Sequence, residues 1–127
     1  MSDPISDNPI YVYNRDKQTF LATHATMKTG IVGWLFGLCG KTKRWAQLGS
    51  GLWIVACRFA HTVGVTFPID VIFLNQENRV VYVQEHVRPF RVVRAASNAS
   101  SVLELPPHTI YRSGTVVGDQ CEIKPAR

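Results

Sequence analysis

His61, Thr62 and Asp70 fall in the block His61-Thr62-Val63-Gly64-Val65-Thr66-Phe67-Pro68-Ile69-Asp70-Val71-Ile72-Phe73-Leu74, where three polar side chains border a very apolar run. Polar groups carried into such surroundings must find partners, so the block is either a structural hydrogen-bond node or a site. A histidine whose second ring nitrogen is held by a carboxylate is the orienting half of many acid–base and metal centres. Gly64 and Pro68 allow a loop that folds His61 and Asp70 together. On that geometry His61 is a general base and Asp70 its orienting partner, as in a small hydrolase or transferase. The alternative is architectural: a carboxylate at the mouth of an apolar strand accepts hydrogen bonds from loop N–H groups, and Thr62 does similar local work. The partners of Asp70 separate the two. A pocket uniting it with His61 favours catalysis, and bonds to backbone N–H groups alone favour the scaffold.

Three neighbouring residues extend the chemistry. Cys57 has Arg58 and His61 close by in sequence, and either lowers a thiol pKa enough to make a nucleophile. A small apolar core position suits Cys57 equally well. Glu104, inside Leu103-Glu104-Leu105, alternates away from its leucines and faces either solvent or a polar pocket beside the His61 loop. A metal site built from His61, Asp70 and His86 or His108 lacks diagnostic spacing, so no metal and no cofactor are expected. The candidate ligand-binding set is therefore Arg58, His61, Thr62, Asp70 and Glu104, with His61 and Asp70 as the catalytic candidates. No nucleophile, base and orienter can be assembled in order, which favours a binding module over an enzyme.

Charge supplies a further partner class. The net charge is +5, and no acidic residue lies between Asp16 and Asp70. That stretch holds Lys17, Lys28, Lys41, Lys43, Arg44 and Arg58, and Arg88, Arg91 and Arg94 follow. A positive face attracts anions. Interleaving with Trp34, Trp45, Phe59 and Phe90 suits single-stranded nucleic acid, although no nucleic-acid motif is present. A solvated basic surface is the plainer reading.

These residues need elements to hold them. The 127 residues, 46% of them hydrophobic, suit one globular domain at 9–127 behind a frayed terminus at 1–8. Ile10 to Tyr13 and Thr19 to Thr23 predict a hairpin across the polar turn Asn14-Arg15-Asp16-Lys17. Met27, Ile31, Trp34, Leu35 and Leu38 recur at helical spacing, which predicts a short helix over Thr26–Cys39 despite three internal glycines. Trp34 and Phe36 beside the following basic residues also fit a membrane-surface contact. Strands are expected at Leu52–Cys57, Ile69–Leu74, Arg79–Gln84, Phe90–Val93, Ser101–Leu105 and Gln120–Ile123, with a turn at Asn75-Gln76-Glu77-Asn78 and turn-like structure after Pro106-Pro107. Many short strands and one short helix make a β-rich α+β fold, mainly an antiparallel curled sheet or partial barrel. The start is acidic and polar, unlike a signal peptide, and the longest apolar run, Gly30 to Gly40, is about half of the roughly 20 residues that span a bilayer. Cys39, Cys57 and Cys121 are odd in number with no C-x-x-C. Reduced thiols in the cytoplasm are the simplest expectation.

A set of motifs carries a family resemblance: Gly37-Leu38-x-Gly40, Gly51-Leu52-Trp53-Ile54, Cys57-x-x-x-His61-Thr62, Phe67-Pro68-Ile69-Asp70-Val71-Ile72-Phe73-Leu74, Arg79-Val80-Val81, Ser101-Val102-Leu103-Glu104-Leu105-Pro106 and Gly118-Asp119. In order and spacing the chain resembles the bacterial and archaeal domain-of-unknown-function family one-nine-two over residues 18–124. The resemblance implies a compact domain and no established activity. Val65 stands where the family usually has methionine, and Ser50 where it usually has an acidic residue before the Gly-Leu strand. The expected function is accordingly a non-enzymatic accessory domain that binds a small ligand or a protein at a polar cleft beside the His61–Asp70 loop, with the ligand, partner and oligomeric state open.

Overall fold

The structure, a computed structural model, describes residues 8–29, 47–95 and 98–126. Its strands are β1 (Ile10–Asn14), β2 (Thr19–Thr29), β3 (Ser50–Val55), β4 (Phe59–His61), β5 (Ile69–Leu74), β6 (Val80–Val87), β7 (Val92–Arg94), β8 (Ser101–Leu105) and β9 (Cys121–Pro125), with a short helix α1 (Thr109–Ser113) between β8 and β9. Seven strands form one sheet in the order β6-β5-β8-β3-β2-β1-β9, and β4 pairs with β7 in a separate ribbon. The large sheet is mixed. Its neighbours are antiparallel except β2 and β3, which run parallel from His24 opposite Ser50 to Thr29 opposite Val55. Register shifts in β1–β2 and β5–β6 mark bulges. Bulges bend a strand and sharpen its twist, and the sheet curls into an open half-barrel.

The predicted class holds, with corrections to individual elements. Thr26 to Thr29, assigned to a helix from the spacing of Met27 with later residues, are the last part of β2. Thr26 pairs with Leu52 and Met27 with Trp53. Threonines suit a pleated surface, and a neighbouring strand outweighs a weak helical period. The rest of that predicted helix, with Trp34, Phe36, Trp45, Lys41, Lys43 and Arg44, lies outside the described residues. The short helix that is described follows the two prolines, where only turn-like structure was expected. β4 is three residues long, too short for any periodic signal.

Both faces of the large sheet are covered at its central strands β5 and β8. Ile69, Val71 and Phe73 of β5 join Leu52, Ile54, Val65, Phe67 and Val102 in one apolar cluster. Ile72 and Leu74 join Val12, Leu21, Leu103, Leu105 and Ile110 in the other. All six residues of β5 and all five of β8 are buried. A continuous apolar run, rather than alternation, is what two-sided burial demands.

Candidate functional site

The loop that follows β4 divides the predicted site instead of gathering it. Ala60 and Val93 are paired across the β4–β7 ribbon and sit in the first cluster, so the ribbon packs one face onto the core. Alternation turns Phe59, His61, Val92 and Arg94 to the other face. There Phe59 pairs with Arg94 and His61 with Val92. The Arg94 guanidinium lies 5.6 Å from the Phe59 ring centroid, a cation–π contact. Val92 is 63% exposed and Phe90, just before the ribbon's second strand, 73%. Arg58, Phe59, Arg94 and Ala95 line a cavity of ≈ 150 Å³.

Thr62 fastens this ribbon to the loop Arg88–Arg91. Its hydroxyl donates to the Arg88 carbonyl (2.6 Å) and accepts from the Arg91 N–H (2.7 Å). Its own N–H bonds Arg91 O, and its carbonyl accepts from Phe90 N–H. The side chain is fully buried, so Thr62 shapes the site from behind. The loop carries Arg88 and Arg91, and the next strand Arg94. Ion pairs among the described residues join Arg15 and Lys124 to Glu122 and Lys17 to Asp119; none takes up Arg88, Arg91 or Arg94. The sequence pointed to these arginines as a basic group but not to the ribbon that presents them.

Asp70 is not beside His61. It shares its face of β5 with Ile72 and Leu74, on the opposite side of the sheet from Ala60. Fully buried, its carboxylate accepts the His86 N–H at 3.0 Å through Oδ1 and the Ile110 N–H at 2.9 Å through Oδ2. Both donors are backbone groups. The first lies in the β6 bulge, where Glu85 and His86 together fill the space opposite Asp70. The second is in the first turn of α1, whose preceding residue His108 makes no side-chain cap. Asp70 thus satisfies a helix donor that would otherwise be orphaned. The paired base and orienter expected of a hydrolase is not formed, because one register step on β5 sends the carboxylate to the wrong side of the sheet.

Glu104 is a second correction. It is neither solvent-facing nor part of a polar pocket at the His61 loop. At 2% exposure it lies between Leu52 and Val71, its partners on the two adjoining strands. Burial raises its carboxyl pKa to about 8, leaving it largely neutral at pH 7. Cys57 lies after β3, buried, with its thiol donating to Phe59 O at 3.1 Å. Burial raises its pKa most; the Phe59 contact opposes this and the Glu104 carboxyl adds to it, and the net direction is upward. The thiol is therefore protonated at neutral pH, the opposite of an activated nucleophile.

Asp119, from the Gly118-Asp119 motif, is also structural. Burial would raise its pKa, but hydrogen bonds from Asn14 (2.9 Å), Val116 N–H (3.0 Å) and Lys17 (3.0 Å), with the Lys17 charge, lower it overall. It ties the β1–β2 turn to the segment before β9.

Comparison with known proteins supports the fold. One family model, described as an uncharacterized ACR, matches residues 35–123. A protein of unknown function from Novosphingobium aromaticivorans is 20% identical, with a TM-score of 0.74 over 96% of this chain and 91% of its own. A candidate transcription regulator from Sinorhizobium meliloti is 15% identical, with a TM-score of 0.73 over 91% of this chain and 92% of its own. At these identities the likeness is one of fold. No curated protein matches the chain.

Proposed function

The chain belongs to the DUF192 family of uncharacterised proteins, and from that premise we propose that it is a non-enzymatic binding module whose contact surface is the outer face of the β4–β7 ribbon and whose partner is negatively charged. The observation that carries this reading is the grouping of Arg88, Arg91 and Arg94 around exposed Phe59, Phe90 and Val92, with none of the three arginines in an ion pair among the described residues. Arginine forks suit carboxylate and phosphate oxygens, and exposed aromatic and aliphatic surface adds contact area. The proposed surface is the outer wall of the His61–Asp70 loop, with Arg58 at its cavity. Asp70 and Glu104, buried within the sheet, lie outside that surface.

Phe59 and Phe90 favour single-stranded nucleic acid among such partners, since bases stack on aromatic rings between phosphate-binding arginines. A cytoplasmic location is in keeping with this reading. The test is fluorescence anisotropy with labelled oligothymidine and with labelled heparin at low and moderate salt. Binding should weaken as salt rises. Charge reversal at Arg91 and Arg94 together should weaken it by roughly tenfold or more, since each charge-assisted contact contributes ~1.5–3 kcal/mol. Binding that is absent, insensitive to salt, or unaffected by the reversal overturns the proposal.

A further inference from the structure

Asp70 locks the backbone of two elements, and each carries a histidine at that point. His86 is the bulge residue of β6 whose N–H bonds Asp70 Oδ1. His108 precedes α1, two residues from the Ile110 N–H that bonds Asp70 Oδ2. Both are exposed, and both hold left-handed backbone, with φ of 54° and 73°. Such conformations are uncommon outside glycine and tend to persist where the surrounding structure enforces them. Here one buried carboxylate bonds the backbone of the first and, two residues on, of the turn that follows the second. The two imidazole rings are neighbours, with centroids 6.3 Å apart and planes inclined by 36°.

We propose that His86 and His108 form a two-imidazole port for a borderline divalent cation of the Zn²⁺, Ni²⁺ or Cu²⁺ class. Imidazole nitrogen suits these ions, whereas Mg²⁺ and Ca²⁺ prefer oxygen. At a Zn–N length of ~2.0–2.1 Å the rings need to close by about 1 Å, a shift open to two exposed side chains. No set of three or more His, Cys, Asp or Glu among the described residues is placed for a metal. Water or a partner's ligand would therefore complete the coordination, which makes the site open and exchangeable and unlike a closed structural zinc site. Asp70 is a positioning residue: it fixes the main chain from which both rings project and touches no ion itself.

The test is calorimetric titration of metal-free protein with Ni²⁺ and with Zn²⁺. One ion should bind per chain. His86→Asn and His108→Asn should each weaken binding by about tenfold or more, and asparagine tolerates the left-handed backbone that both positions require. His24→Asn should leave the affinity unchanged. Broadening of amide resonances by Cu²⁺ in the unaltered protein is a second readout, and it should centre on residues 85–87 and 108–111. Absence of binding, equal affinity in either variant at position 86 or 108, or broadening centred elsewhere overturns the proposal.

Discussion

Burial lifts the Glu104 carboxyl to about 8 from an ordinary 4.5, which couples stability to pH. The folded protein keeps this proton over a range in which the unfolded chain has lost it. The stabilisation is fully present below about 4.5, declines as pH rises, and is gone once pH passes about 8. Glu104→Gln should remove that slope and leave the protein more stable than the parent at pH 8.5, by on the order of 4 kcal/mol. Urea midpoints of the two proteins at pH 5, 6.5 and 8.5 check this, and parallel curves would refute it. The sequence made Asp70 and Glu104 conspicuous because each interrupts an apolar strand. For Asp70 the architectural alternative was already visible, since a carboxylate at a strand mouth seeks N–H donors. Its separation from His61 was not legible, because the seven-residue loop Thr62–Pro68 leaves open which face of the sheet the strand presents. Glu104 was harder still: alternation sets it apart from its leucines, but only the second apolar layer makes that other face dry.

At the scale of elements, the β4–β7 ribbon depends on one hydroxyl. Thr62→Val keeps the shape of the side chain and removes both bonds to the Arg88–Arg91 loop. It takes their partner from the Arg88 carbonyl and the Arg91 N–H, both only partly buried, at a cost of ~1–3 kcal/mol. Thermal unfolding should show the loss, and amide exchange should quicken in residues 88–94 before it does so in β5. Unchanged exchange in that loop would disprove the role. Of the elements, the hairpin of β1 and β2, the continuous runs of β5 and β8 and the returning β6 were legible, because each has length, period or turn chemistry. Of the ribbon, only β7 was foreshadowed, by the strand expected over Phe90–Val93; β4 was not, being three residues that make sense only beside their partner. The helix expected from Thr26 failed at its first turn for a related reason: a parallel strand from far along the chain occupies the edge of β2 there.

For the molecule as a whole, net charge of +5 is a sum of unlike regions. Carboxylates near β9 and the first hairpin hold Arg15, Lys17 and Lys124, while the ribbon arginines have no such partners among the described residues. The sequence conveyed this asymmetry as a run without acids, and the fold turned part of it into a surface. The same fold joins distant parts of the chain. β1 pairs along its length with β9, from Ile10 opposite Pro125 to Asn14 opposite Cys121, and Ala126 N–H bonds Pro9 O at 2.9 Å. Removing residues 121–127 should leave the β1 edge bare and produce self-association, detectable by analytical ultracentrifugation, because an unpaired strand edge is a template for another chain. A truncated protein that stays monomeric with native circular dichroism would contradict this. The β1–β9 pairing also has a consequence during synthesis. A ribosome releases β1 well before β9, so the first hairpin must wait for its outer neighbour until strands β3 to β8 have emerged. Completion of the sheet is thus a late event, and a chaperone that shields the β1 edge would act in that interval.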